Sequence, residues 1–299
     1  MSANTAAAAG VQSMPECPDQ TIRWKLSGFA DEIDTDPRVH ATVMSALGAS
    51  HLELRSAWNI NVVEMTDAQL ADLQSVYTDC SMAVSAIASP IGKVDVSMPV
   101  EHELDRLERA IHAAHLFECR YIRIFSFYHQ GRSAVSVRDA VMSRMRALAE
   151  MAVSAGVVLL HENEKDIYGD VPARILDIVR AVDSPALRLA WDPANFVQVG
   201  VRPFSEAYGR LRPHIEYLQI KDARFTDGRV TVAGMGDGEL LETVTALRAS
   251  GYRGFASLEP HLASATDLGG FSGPAAFGSA MRAFAEIAAR AGVSVYDAS

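Results

Sequence analysis

Cysteine is scarce in this chain. Cys17, Cys80 and Cys119 are an odd number without metal-site spacing, which argues against a disulfide framework and points to a reduced, cytoplasmic protein. No apolar run reaches the roughly 18 residues of a membrane span. Positive charge is also short: 27 Lys and Arg face 37 Asp and Glu, a formal net charge of −10. That balance speaks against nucleic acid or an anionic membrane as partner. The opening stretch MSANTAAAAGVQSMPECPDQ has neither a basic n-region nor an apolar h-region, so it does not read as a signal peptide. Residues 1–20 read as a flexible tail and 21–299 as one domain. A Gly-rich phosphate fingerprint is missing after the first candidate strand, which weakens a dinucleotide-binding assignment.

What is present is alternation. Eight short apolar runs read as strands: 26–30, 50–55, 82–88, 121–127, 157–162, 187–192, 215–222 and 255–260. Between them lie helix-period segments, such as EHELDRLERAIHAAHLF, in which Leu104, Leu107 and Ile111 share one face. Punctuation agrees: Asp36-Pro37 supplies an N-cap with an N1 proline, Thr66-Asp67 opens the next helix, and Gly48 and Gly156 close theirs. Eight βα units in 299 residues favour an α/β fold of the single (β/α)8 TIM barrel type, with a doubly wound open sheet as the alternative.

The ends of the later strands are unusual. VVLLHENE is built to be buried yet runs into Glu162, and the next three strands end in Asp192 (WDPAN), Gln219 and Lys221 (LQIKD), and Glu259 (SLEPH). In a barrel these ends converge at one mouth. Three carboxylates cannot crowd there without raised pKa values or a compensating charge. Taken singly, each acid is an ordinary turn or loop residue. Taken together, Glu162, Asp192, Gln219 and Glu259 read as ligands of a divalent cation. An all-oxygen set suits Mn²⁺ or Mg²⁺ better than zinc. Glu164 is the alternative to Glu162. Strand alternation turns His161 away from the ligands, which suits a packed, hydrogen-bonded histidine.

Other candidates are weighed by position. Lys221 faces the same side as Gln219 and could steady a developing enolate oxygen; an ion pair with Asp222 or another acid is the plainer reading. Lys93, in SPIGK after the third strand, could hold a substrate hydroxyl or phosphate. Trp58, Phe127, Tyr128 and His129 could face a sugar ring or simply pack. Arg55 and His261 are named for position. Gly234–Gly238 reads as a turn before a helix rather than a phosphate cradle. The want of a basic cluster in the sequence favours an unphosphorylated substrate.

GFADEI, SAIASPIGK, HENE, DPAN, IKDA and LEPH together resemble the xylose-isomerase-like sugar phosphate isomerase/epimerase family, over roughly residues 26–290. The resemblance implies a TIM barrel with a divalent metal, often Mn²⁺, at the strand C-termini. Its ketose 3-epimerases hold the ion with two glutamates, an aspartate and a histidine, and both glutamates exchange protons with substrate. Those positions fall on Glu162, Asp192 and Glu259, with Gln219 where the histidine stands. Co²⁺ is a further candidate ion. Asn195 replaces the histidine three residues after the aspartate, and Arg224 lies nearest the arginine that follows the seventh strand. The resemblance implies an isomerase or epimerase of a ketose, keto-sugar or related polyol. It uses Glu162 and Glu259 as acid/bases and Lys221 as electrostatic support, with Asn195, Arg224, Lys93, Trp58 and His261 toward substrate. The runner-up is a metal-dependent lyase or hydratase on 3-keto-glycosides, including C-glycoside cleavage. A third reading is a non-catalytic barrel that binds sugar or serves as a subunit partner in a homo- or hetero-oligomer. An endonuclease on the same barrel would need many histidines and a basic face.

Overall fold

The computed structural model describes residues 22–296 apart from 264, 267 and 268; the expected tail over 1–20 lies outside the described residues. Eight parallel strands form the barrel: β1 (Lys25–Gly28), β2 (His51–Leu54), β3 (Ala83–Ala88), β4 (Tyr121–Ile124), β5 (Val158–Glu162), β6 (Leu187–Trp191), β7 (Ile215–Ile220) and β8 (Phe255–Leu258). Each pairs with its sequence neighbour from β2 round to β8, and β8 pairs with β1. A single bridge, Phe29 to Glu53, completes the ring between β1 and β2. That circular order is a barrel, and it excludes the open-sheet alternative.

The helices are α1 (Pro37–Ala46), α2 (Asp67–Asp79), α3 (Val100–Leu116), α4 (Ala134–Ala155), α5 (Pro172–Val182), α6 (Pro193–Gln198), α7 (Leu240–Ala249) and α8 (Gly273–Arg290). Their starts follow the local chemistry. Asp36 accepts from the Arg38 N–H at 2.8 Å, and Thr66 forms a capping box with Gln69; each such cap contributes about 1 kcal/mol. Gly156 ends α4 at φ +71°, where a Cβ would be strained. None of the described helices is long and apolar enough to cross a membrane. Cys80 and Cys119 are free thiols.

The strand period of two sorts the barrel. Odd-numbered residues on β1, β2, β4, β7 and β8, such as Ser27, Glu53, Arg123, Tyr217 and Ser257, and even-numbered ones on β5 and β6, such as Leu160, Glu162 and Ala190, turn inward. A small interior cluster, Ala86, Val158, Leu160, Ala190 and Tyr217, plugs the lower barrel. Above it lies a polar layer, in which the Tyr217 hydroxyl meets Ser85 at 2.8 Å and Ser257 donates to Glu53 at 2.7 Å. The large core packs between strands and helices. The floor is therefore sealed, and the open end is the one the strand C-termini define.

Candidate active site

Most strand ends at the mouth carry a polar or charged group, Ala88 at the end of β3 being an exception. Glu162 ends β5, Asp192 follows β6 as the N-cap of α6, Gln219 lies on β7, Lys221 just beyond it, and Glu259 just beyond β8. On the other side stand Phe29, Arg55 after β2, and Arg123 on β4. All the charged members are buried. Arg55, Arg123, Lys221, Glu162 and Glu259 line a cavity of about 90 Å³ together with Lys93, Glu164 and His261, whereas Asp192, Gln219 and Asn195 are not part of its lining.

Every carboxylate oxygen of the predicted ligand set has a donor. Glu162 Oε1 accepts from Asn195 Nδ2 at 3.0 Å, and Oε2 from Arg123 at 2.9 Å and Gln219 Nε2 at 3.2 Å. Asp192 Oδ1 caps the Asn195 N–H at 2.9 Å, and its Oδ2 accepts from Lys221 Nζ at 3.0 Å. Glu259 Oε2 also accepts from Lys221 at 3.0 Å, while Oε1 faces Arg55 at 3.3 Å and His261 at 3.3 Å. Lys221 completes its set with Asn195 Oδ1 at 3.0 Å.

The electrostatics follow from burial and partners. Burial alone would raise Glu259, but Lys221, His261 and Arg55 hold its carboxyl well below the usual range. Asp192 has fewer cations around it, and burial pushes it up to about 7 despite Lys221. Glu53, deeper in the barrel, is likewise pushed up to about 7 by burial. Lys221 is held well above its ordinary value, since its carboxylate partners outweigh the burial that would lower it.

The donor chemistry fits a hard divalent ion. Oxygens of Glu162, Asp192 and Glu259 lie within 4.8 Å of one another. Gln219 Oε1 is buried with no hydrogen-bond partner, an orphaned acceptor that a cation would satisfy. A second group, Glu32, Glu259 and His261, shares Glu259.

Predicted residues divide into those brought together and those left out. Glu162, Asp192, Gln219, Lys221, Glu259 and Asn195 form one network, and Lys93 and His261 line the cavity. Lys93 pairs with Glu164 at 3.2 Å and stands 4.2 Å from the Phe125 ring centroid. Its loop is fixed by Gly92, whose φ of +85° and close approach to the Phe125 carbonyl leave no room for a Cβ. Arg224 does not join the cavity lining; its guanidinium pairs with Asp227 at 2.9 Å near the surface. Trp58 is 37% exposed in a turn and is also outside the cavity lining. Phe127 belongs to the core. His161 is packed as expected, but neither ring nitrogen has a hydrogen-bond partner, and burial lowers its pKa to about 3. A neutral imidazole packed so closely on Gly169 that a Cβ there would collide with it meets that burial without an ion pair. Asp222 is no partner of Lys221. It turns outward and accepts the N–H groups of Gly234, Gly236 and Gly238 at 2.9–3.0 Å. The glycine loop therefore does cradle an anion, but one supplied by its own chain.

Sequence reasoning missed Arg123, Glu53 and Glu32. The signal was there for the first two: HLELR and YIRIF each place charge at period two inside an apolar strand. It also missed a basic group. Arg55, Lys93 and Arg123 come from separate segments and meet only at the mouth, so the expectation built on a missing basic cluster loses its ground.

Comparison with known proteins agrees with this architecture. The xylose isomerase-like TIM barrel family matches residues 42–287. A 2-epi-5-epi-valiolone 7-phosphate 2-epimerase of Actinoplanes sp. is 36% identical over 120 residues, 40% of this chain and 39% of the relative. The match thus spans well under half of that relative's length. Among solved structures, a D-tagatose 3-epimerase-like protein superposes with a TM-score of 0.73 at 15% identity, covering 89% of this chain and 98% of its own. A xylose isomerase-like TIM barrel protein from Mycobacterium smegmatis, in complex with magnesium, gives 0.66 at 18%, covering 92% and 99%. At such identities the likeness speaks for the fold. With strand order, barrel closure and a family match over most of its length, this chain belongs to the xylose isomerase-like TIM barrel family.

Proposed function

We propose that the chain is an epimerase or isomerase of a ketose, keto-sugar or related polyol, working by proton transfer between two carboxylates. The observation that carries this is the placing of Glu162 and Glu259 on one small cavity, each with fixed donors behind it. They reach the cavity from either side of β6 and β7. One takes the proton from the carbon beside a carbonyl and the other returns it, which inverts or relocates that centre. Arg123 and Asn195 fix the Glu162 carboxylate; Lys221, Arg55 and His261 keep Glu259 ionised and able to accept. Lys221 lines the same cavity, and its ammonium, once freed from Asp192 and Glu259, would steady the enolate oxygen that forms between the two steps.

Glu162, Asp192, Gln219 and Glu259 would hold the divalent ion, Mn²⁺, Mg²⁺ or Co²⁺. Bound there, it would supply Lewis-acid polarisation of the carbonyl. The relative from Actinoplanes sp., named for an epimerase reaction, supports the reaction class. Incubation in deuterated water with Mn²⁺ and a panel of ketoses and 3-keto-glycosides tests the reading. Deuterium in a rearranged sugar is the expected result. Release of an aglycone would establish the lyase instead, and no exchange with any member would reject both.

A further inference from the structure

We propose that Lys221 is the resident occupant of the cation site: its ammonium fills the gap between Asp192 and Glu259 and must leave before an ion can bind there. This rests on the metal reading above and adds a competitor to it.

The geometry sets the competition. Lys221 Nζ stands 3.0 Å from Asp192 Oδ2 and 3.0 Å from Glu259 Oε2. Those are carboxylates an ion would need, and oxygen ligands close on a hard divalent ion to about 2.0–2.6 Å. An ammonium hydrogen-bonded to both oxygens and a divalent ion coordinated by both cannot share that space, since like charges a few ångströms apart in a buried site repel strongly.

The neighbours explain why lysine stands there. Arg123 serves Glu162, and Arg55 serves the outer oxygen of Glu259. Among the described residues Asp192 has one ion-pair partner, and it is Lys221. Without it, a fully buried carboxylate would be left with only the Asn195 N–H and dipoles. Lys221 is thus the positive charge that Asp192 requires whenever no ion is bound.

It also has somewhere to go. Asn195 Oδ1 already accepts from it at 3.0 Å, and Lys221 lines the same cavity as Glu164, whose field acts on it. Displaced from Asp192 and Glu259, the flexible stem carries the ammonium toward the cavity, where substrate oxygen would lie. Ion binding would then arm the residue that stabilises the enolate.

The test is calorimetric titration of Mn²⁺ into the full-length protein, Lys221→Met and Lys221→Gln, at one pH and ionic strength. Both variants are expected to bind Mn²⁺ more tightly, by about tenfold or more, a coupling of ordinary size between two cations at one site. The metal-free variants should also melt below metal-free wild type and gain more in Tm when Mn²⁺ is added. If Lys221→Met does not fold by circular dichroism, Lys221→Gln, which keeps a donor for Asp192, carries the test. Variants that bind Mn²⁺ no tighter than wild type, while wild type binds it, would overturn the proposal and leave the metal reading standing. Failure of wild type and both variants to bind Mn²⁺ would remove the two together.

Discussion

The two sides of the barrel mouth are opposites. The segments after β2 and β3 and strand β4 present Arg55, Lys93 and Arg123, whereas β5 through β8 end in Glu162, Asp192, Gln219 with Lys221, and Glu259. Neither side would be stable alone, because buried charge without a partner costs several kcal/mol. Each side supplies the other's counter-charge: Arg123 reaches Glu162 and Arg55 reaches Glu259. Asp192 is the exception, neutralised from within its own side by Lys221. Burial raises its pKa, to about 7, whereas the cations around Glu259 hold that carboxyl low. The mouth is compensated pair by pair, and the point left short of positive charge is where an ion would do most good.

The largest effects should come from the acidic side. Glu162→Gln and Glu259→Gln keep an oxygen ligand but cannot take a proton, so each should cut turnover by about 10²–10⁴-fold. Solvent deuterium incorporation should fall in step while the fold persists; undiminished exchange in both would show that neither is the base. On the cationic side, Arg123→Met should act on stability first. It leaves the buried Glu162 without its guanidinium, a loss of up to about 3–5 kcal/mol in urea unfolding, softened by the Asn195 and Gln219 donors that remain.

Below the mouth, Glu53 sharpens the contrast through pH. Burial raises its pKa from 4.5 to about 7, so the folded protein keeps a proton that the unfolded chain has released. The stability this contributes is full below the unfolded value and is lost as pH rises to about 7. Glu53→Gln stays neutral and can still accept from Ser257. Wild type should therefore lose up to about 3 kcal/mol relative to the variant between pH 4.5 and 8, read from urea unfolding at both ends. A constant difference across that range would mean Glu53 is ionised throughout. The smallest effect belongs to Arg224→Ala. Paired with Asp227 at the surface, it should change stability by no more than about 0.5 kcal/mol and leave substrate KM unchanged.

The contrast between the two sides also explains what the sequence could reveal. The acidic side was legible because Glu162, Asp192, Gln219 and Glu259 end successive strands, so one rule about barrel mouths gathers them. The cationic side was not. Arg55 sits at a strand end and Arg123 inside YIRI, while Lys93 reaches the cavity because Gly92 passes the Phe125 carbonyl, a contact that no periodicity encodes. The eight strands were readable from β-branched runs and their spacing. The closing Phe29–Glu53 bridge depends on pairing between the first two strands, which local pattern does not specify. His161 was placed on the correct face, but its missing hydrogen bonds reflect packing against Gly169, a tertiary accident of one loop.

The central claim is that the acidic side of the mouth is a divalent-cation centre. A crystal grown with Mn²⁺ and measured for anomalous scattering tests it most directly. The account predicts one strong peak among Glu162, Asp192, Gln219 and Glu259, with the Gln219 Oε1 turned to it and Lys221 withdrawn toward Asn195 and the cavity. Well-ordered side chains with no peak between them, and Lys221 still bridging Asp192 and Glu259 at saturating Mn²⁺, would contradict it.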